Sequence, residues 1–330
     1  MLTDILFMIV LIALVVLFAW LARRASRSRH GWIKWPGMLL SSLVGVLVLA
    51  ILGLVIYGQV KFKAVQADRP LYPIQADMSP AGQVRGKYLV ENVMGCAGAC
   101  HSPENQSPFI GRMENVNMGP AVIDFNVPNL TPDQETGLGA WSDAEIARAI
   151  REGVDKDGRS LVVMPSYNYH VLSDADMSAI LGYLRNLPPS RNAIKPIGGN
   201  AIGKALLASG MLIPASLGTS ITSSQVTPAS GSLEYGAYLV SIAGCKDCHQ
   251  ANLGGGSGSG GGMPAPNLTP GGEVSQWSET NFLTAMHTGV RPDGTQLSAD
   301  MPYKEYGKMT DDDLIAIFKY LHSLPVVSSK

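Results

Sequence analysis

Charge, aromatic side chains and cysteine are all scarce in this 330-residue chain. Charged residues make up 15%, aromatics 7%, and the formal net charge is −1. With a net charge so close to zero, nothing in the composition points to a nucleic-acid partner. Also missing is a basic stretch ahead of the first apolar run, since only Met-Leu-Thr-Asp precedes Ile5. A cleavable signal peptide needs that stretch, so it is the weaker reading of the run. Large aromatics are too few to build two ordinary cores, and small domains of about 100 residues are marginal without added apolar mass. Cysteine occurs four times, and all four fall in two short motifs.

The positive mean hydropathy is concentrated at the N-terminus. Uncharged apolar runs at 5–22 and 38–60 come close to the ~20 residues a helix needs to cross a bilayer. They predict transmembrane helices over about 4–22 and 37–60 within an anchor of residues 1–62. Arg23, Arg24, Arg27, Arg29, His30 and Lys34 lie between them. The positive-inside rule places such a loop in the cytoplasm and the N-terminus and everything after residue 60 outside. Trp20, Trp32 and Trp35 are placed as interfacial anchors, and Pro36 is expected to open the second helix.

The cysteine motifs are Cys96-Ala-Gly-Ala-Cys100-His101 and Cys245-Lys-Asp-Cys248-His249. C-x-x-C-H is the signature of c-type haem attachment, in which two thiols bond the porphyrin and the next histidine ligates its iron. The first motif carries one extra residue between its cysteines. Half a zinc site or a redox dithiol are the competing readings, and both leave the two histidines unexplained.

The surroundings of the two motifs repeat, as in a duplicated domain. Gly86-Lys-Tyr88-Leu89-Val90 is answered by Gly236-Ala-Tyr238-Leu239-Val240, and Pro128-Asn129-Leu130-Thr131-Pro132 by Pro266-Asn267-Leu268-Thr269-Pro270. Trp141-Ser142-Asp143 is answered by Trp277-Ser278-Glu279, Gly153-Val154 by Gly289-Val290, Asp157-Gly158 by Asp293-Gly294, and Met164-Pro165 by Met301-Pro302. These later markers keep offsets of 136 to 138, and the first copy is ten residues longer between the cysteine motif and Asn-Leu-Thr-Pro. Each copy reads as short helices. Ser142 and Glu145 form a capping box ahead of Ile146, Ala149 and Ile150, with Gly153 as stop. Ser173 and Asp176 open a helix that ends before Pro188, and Thr310 and Asp313 open another that ends before Pro325.

His101 and His249 are the expected proximal iron ligands. Met164 and Met301 are the expected distal ones, because they alone among the methionines hold equivalent places in both copies. Met113, Met118 and Met177 compete in the first copy, Met263, Met286 and Met309 in the second, and His170 and His287 lack counterparts. His/Met ligation leaves no open coordination site, which suits electron transfer rather than substrate binding. A ligand histidine donates its second ring nitrogen to a nearby acceptor, and the carbonyls of Pro128 and Pro266 are the candidates. Trp141 and Trp277 either donate to a haem propionate or fill space.

With these residues, each copy resembles the class I cytochrome c fold, over about 80–189 and 231–327. The string G-x-Y-L-V, cysteine motif, P-N-L-T-P, W-S-D, G-V-x-x-D-G, M-P ends here in Tyr183-Leu184-Arg-Asn-Leu187-Pro188 and Tyr320-Leu321-His-Ser-Leu324-Pro325. It is similar to that of the multihaem cytochrome subunits of bacterial periplasmic dehydrogenases. The resemblance implies two covalent haem c groups on Cys96, Cys100, Cys245 and Cys248, with His101, Met164, His249 and Met301 on the irons. Two departures stand out: the lengthened first motif, and two N-terminal spans in place of a cleaved signal and third haem domain. Two spans before two haem domains are similar to the dihaem subunit of certain haem-copper oxidases.

The expected fold class is therefore mainly α: two transmembrane helices, a linker at 63–79, cytochrome domains at 80–189 and 231–330, and an inter-domain linker at 190–230. An apolar patch at 201–217, interrupted by Gly210 and Pro214, is expected to pack between the domains, and 254–262 is a glycine and serine loop near the second haem. The expected function is single-electron transfer on the periplasmic face of a bacterial cytoplasmic membrane, as an electron-transfer subunit of an oxidoreductase complex rather than a catalyst alone. The donor would be a membrane-bound redox complex or periplasmic dehydrogenase. The acceptor would be a terminal oxidase, a reaction centre, or a soluble cytochrome or copper protein. A dihaem peroxidase and a redox-sensing or structural haem subunit are the rival functions. The peroxidase would need one haem with a displaceable ligand.

Overall fold

A computed structural model describes residues 2–63, 69–102, 109–161, 163–209, 220–257 and 264–328. Met263, Gly210, Pro214 and residues 258–262 of the glycine and serine loop lie outside the described residues. The chain divides into two compact units, one built from Met1–Ala64, Glu114–Phe125 and Ile197–Ala215, the other from Val65–Met113, Asn126–Pro196 and Ser216–Lys330.

The first unit begins with helices α1 (Leu2–Ser26) and α2 (Gly31–Lys63). Both are long and apolar enough to cross a membrane, with mean hydropathy of 3.2 and 2.9 over their candidate spans. They run antiparallel: a Cβ added at Gly37 would lie 3.1 Å from Ala25, and one at Gly45 3.4 Å from Phe18. Leu6, Val16, Leu39 and Leu43 point outward, exposed by 60% or more. The helices are longer than the apolar pattern predicts. Arg23, Arg24 and Lys34 are helical, and Pro36 lies inside α2 rather than at its start. The His30 carbonyl accepts from the N–H groups of Ile33 and Lys34, so the helix nucleates ahead of the proline, which forgoes only the bond back to Trp32.

Strands β1 (Arg112–Met118) and β2 (Ala121–Val127) form a hairpin, and β2 pairs antiparallel with the two-residue β3 (Gly198–Gly199). The sequence pattern did not announce these strands. Helix α7 (Ala201–Ala208) follows, its N-terminus capped by the Asn200 side chain, which accepts from the Gly203 N–H at 2.9 Å. Ala201, Ala205 and Ala208 recur at helical spacing. Ala205 meets Gly58 of α2, and Ala201 and Ala205 join an apolar cluster with Leu11, Val48, Leu52 and Val55. Lys204 donates to the buried Asp4 at 2.8 Å. The patch expected between the domains therefore packs on the apolar helix pair over its described part. A face of small residues seats a short helix more closely on α2 than bulky side chains would allow.

The second unit contains both repeats except for residues 114–125 of the first. The first comprises α3 (Pro80–Tyr88), continued as π-helical turns over Leu89–Val93, the cysteine segment Cys96–His101, α4 (Asp143–Glu152), α5 (Ser166–Tyr169) and α6 (Asp174–Arg185). The second comprises α8 (Leu233–Ile242), α9 (Cys245–His249), a hairpin of β4 (Gly256–Ser257) and β5 (Pro264–Ala265), α10 (Glu279–Thr288), α11 (Tyr303–Tyr306) and α12 (Asp311–Ser323). Capping boxes at Ser142 and Glu145 and at Ser278 and Asn281 start α4 and α10. Within each repeat the first and last helices cross where glycine leaves no side chain. A Cβ at Gly86 would strike the Ala179 carbonyl, and one at Gly236 the Ala316 carbonyl. That crossing explains the glycine of G-x-Y-L-V. Leu89, Ile146, Ile180 and Leu181 of one repeat and Leu239, Phe282, Leu314 and Ile317 of the other belong to one contiguous core.

Candidate functional site

In the second repeat α9 carries Cys245, Cys248 and His249. The His249 residue is 5% exposed, and its Nδ1 lies 2.8 Å from the Pro266 carbonyl oxygen. A carbonyl only accepts, so Nδ1 carries the proton and Nε2 keeps a free lone pair. Burial lowers the imidazole pKa, and the carbonyl bond opposes it only in part, so the ring stays neutral. The carbonyl is held by its neighbour. Asn267 Oδ1 accepts from the N–H and hydroxyl of Thr269 at 2.9 and 2.7 Å, and its Nδ2 donates to the Val327 carbonyl at 2.7 Å. The loop closes where the Gly255 N–H donates to the His249 carbonyl at 3.1 Å and Leu268 N–H to the Leu253 carbonyl at 2.8 Å. Gly255 sits at φ +76°, with an added Cβ only 2.7 Å from the Pro266 carbonyl carbon, so both its conformation and its space require glycine.

The first repeat rebuilds this arrangement. His101 is 5% exposed, with Nδ1 2.9 Å from the Pro128 carbonyl oxygen and a pKa driven down to about 4 by burial. Asn129 accepts from Thr131 and donates to the Ser190 carbonyl at 2.7 Å. Gly111, at φ +77°, donates to the His101 carbonyl at 2.9 Å, and Leu130 to the Phe109 carbonyl at 2.9 Å. Phe109 and Leu253 occupy the same left-handed conformation, at φ +61° and +58°. The extra length is accommodated outside these contacts. His101 to Phe109 spans eight positions against four from His249 to Leu253, and the β1–β2 hairpin takes up the rest.

None of the four cysteines is paired in a disulfide, and burial pushes the thiols of Cys96 and Cys245 up to about 12. Among the described residues no group of three or more His, Cys, Asp or Glu is placed to hold a metal ion. The zinc reading finds no site there.

An apolar cavity in the second repeat gathers Cys245, Cys248, His249 and Met301 with Leu268, Trp277, Phe282, Ile317 and Leu321. Met286 and Met309 line it too. Met301 shares its backbone setting with Met164: the prolines that follow have φ, ψ of −78°, 52° and −77°, 53°, and each methionine carbonyl accepts from the N–H two residues on. Met164 is partly buried against the common core, and Met177 is fully buried within it. Met113 and Met118 are exposed on β1. Of the alternative histidines, only His287 has both ring nitrogens bonded. His170 Nδ1 faces the Arg151 carbonyl at 3.2 Å, while His287 bonds the Gly307 carbonyl and Asp311. Trp141 is partly buried against the core.

Several residues here escape sequence reasoning. Tyr169 and Tyr306 tie the segment after each Met-Pro to the Met94 and Ala243 carbonyls, at 3.3 and 2.5 Å. Arg291 lines the cavity with its Nε buried and unpartnered, and its nearest acid, Glu273, is 3.6 Å away. Comparison of the copies hides Arg291, because Asp155 stands at its counterpart. Two thiols, an imidazole with a free Nε2, a thioether and a guanidinium around an apolar cavity fit a porphyrin that carries iron and two carboxylates.

Residues 233–325 match the cytochrome c family model. The chain is 33% identical over 224 residues to a nicotinate dehydrogenase subunit of Pseudomonas putida, a match that covers 59% of this chain and 18% of that protein. It is 29% identical over 269 residues to the gluconate 2-dehydrogenase cytochrome c subunit of Pantoea cypripedii, covering 73% of this chain and 59% of that subunit. To a diheme c-type cytochrome of Cereibacter sphaeroides it is 26% identical over 219 residues, covering 62% and 72%. The chain thus spans under two thirds of the length of the first two relatives.

Proposed function

From the match of residues 233–325 to the cytochrome c family model, we propose that the protein is a membrane-anchored dihaem cytochrome c that passes single electrons outside the cytoplasmic membrane of a bacterium. The carrying observation is the duplicated histidine setting, in which His101 and His249 each follow a cysteine pair and each face a proline carbonyl, at 2.9 and 2.8 Å. When bound, haem c supplies reversible one-electron chemistry at its iron. The chain's own residues do the rest. Cys96, Cys100, Cys245 and Cys248 would hold the two groups, His101 and His249 would offer Nε2 to the irons, and Met164 and Met301 would offer their thioethers. Pro128 and Pro266 fix the imidazole planes, and Trp277 with the apolar walls excludes water, which Trp141 would do in the first repeat.

Helices α1 and α2 would tether both repeats to the bilayer, with the basic residues 23–34 on the cytoplasmic side. The relatives named as dehydrogenase subunits support a dehydrogenase as electron donor. The acceptor would be a terminal oxidase, a reaction centre, or a soluble cytochrome or copper protein. A pyridine haemochrome assay on protein purified from membranes tests the reading. Two covalent haems per chain are expected, and a stoichiometry of one overturns the dihaem claim.

A further inference from the structure

The two repeats meet through a reciprocal pair of contacts. Tyr88, at the end of α3, donates its hydroxyl to Asp313 Oδ2 at 2.6 Å and accepts the Thr310 N–H at 3.2 Å. Tyr238, its counterpart in α8, donates to Asp176 Oδ2 at 2.6 Å and accepts the Ser173 N–H at 3.4 Å. Ser173 and Thr310 are the N-caps of α6 and α12, and Asp176 and Asp313 stand three residues on, each with its N–H bonded to the cap hydroxyl. In α4 and α10 the residue at that position reaches back to the cap N–H itself. In α6 and α12 a tyrosine hydroxyl from the other repeat stands between the two groups and closes the box in trans.

The surrounding packing is reciprocal as well: α5 packs on α8, and α11 on the turns Leu89–Val93. Asp176 and Asp313 are 4% and 6% exposed, so each depends on these donors in place of water. The symmetry breaks at one position. Arg85 grips Asp176 with two bonds of 2.8 and 3.1 Å, while its counterpart Tyr235 donates to Asp313 at 2.9 Å.

We propose that Tyr88 and Tyr238 are positioning residues that lock the two haem-bearing repeats in one pseudo-twofold arrangement, and so hold the distance between the haems constant during electron transfer. The claim rests on the dihaem reading for its functional consequence, although the lock itself is a property of the chain. Electron transfer between centres falls steeply with separation, so a hinge between the repeats would leave each haem intact and still slow exchange between them.

The test uses the full-length, haem-loaded protein in detergent, with Tyr88→Phe, Tyr238→Phe and the double variant, each of which removes only hydroxyl groups. Amide hydrogen exchange should rise about tenfold in the opposite repeat: at residues 310–313 in Tyr88→Phe and at 173–176 in Tyr238→Phe. In the double variant the excitonic circular-dichroism couplet of the paired haems should weaken. Inter-haem equilibration after flash reduction should slow about tenfold or more, while each haem's own absorption is unchanged. Tyr183→Phe, which removes a hydroxyl bonded within the first repeat to Glu91, should move none of these readouts. Wild-type exchange and equilibration in the double variant overturn the proposal, as does faster exchange confined to the substituted repeat. Haem content separates the two claims: one haem per chain sinks the dihaem reading, while the exchange experiment still decides the lock. Should Tyr238→Phe fail to fold, Tyr88→Phe decides alone, because Tyr88 is only partly buried.

Discussion

Asn267 donates its side-chain amide to the carbonyl of Val327, 2.7 Å away and beyond the end of α12, and its oxygen meanwhile gathers Thr269. The residue before it is the proline whose carbonyl faces His249. One asparagine therefore ties the histidine's acceptor to the end of the domain. Asn267→Ala leaves the buried Thr269 N–H without this acceptor and the half-buried Val327 carbonyl without this donor, so a loss of about 1–2 kcal/mol is expected in denaturant unfolding. Asn129→Ala should cost a similar amount through Ser190. A change below about 0.5 kcal/mol in both variants would show that the loop holds its shape without them.

Among the described residues three methionines line the second cavity, and replacement distinguishes them. Met301→Ala should lower the potential of that haem by about 0.1–0.2 V, a fraction of the ≈ 0.8 V over which axial ligands act, and should open it to carbon monoxide. Met286→Ala and Met309→Ala remove apolar contacts only and should leave carbon monoxide unbound. Optical redox titration with a carbon monoxide difference spectrum reads both effects. Carbon monoxide binding in Met286→Ala or Met309→Ala, with Met301→Ala inert, would reassign the ligand.

Arg291 is the cation of the second cavity wall. Its charge favours the more electron-rich form of whatever centre the cavity holds. Arg291→Gln should lower the midpoint potential by roughly 40 mV, the equivalent of about 1 kcal/mol of Coulomb interaction at an effective dielectric near 20. The first repeat carries no arginine at the matching place, so its potential should stay put. An unchanged second potential would place the guanidinium outside the haem's reach.

His287 joins α10 to the start of α12 through the Gly307 carbonyl at 2.6 Å and Asp311 at 2.9 Å. The carbonyl bond first, then the Asp311 contact, raise its pKa above the usual 6.5. The folded state thus holds the proton more tightly than the unfolded chain does. Its contribution to stability is full below pH ~6.5 and is lost as pH rises through the elevated folded value. Unfolding curves across pH 5–9 should show this decline, and His287→Gln should flatten it. A wild-type slope in the variant would assign the pH dependence to another group.

Much of the architecture was legible in the sequence because it rests on local rules. The capping box at Ser142 and Glu145 and the caps at Ser173 and Thr310 start α4, α6 and α12 where their spacing placed them. The apolar runs became α1 and α2, displaced at their inner ends because a helix, once nucleated, continues through arginine and around an early proline. The β1–β2 hairpin and the seat of α7 on α2 were not legible. Strand pairing with β3 and the contact of Ala205 with Gly58 depend on chain segments far apart in sequence.

The cysteine–histidine motifs, their duplication and the haem chemistry proposed for them were read from the sequence alone, because covalent attachment and ligation demand particular residue types at particular spacings. Which groups support them was decided by tertiary structure. The side chain of Asn267 bonds Val327, Arg291 faces a cavity, and Tyr88 reaches the cap of a helix in the other repeat. Each of these roles depends on directions and burials that exist only once the helices have crossed at Gly86 and Gly236.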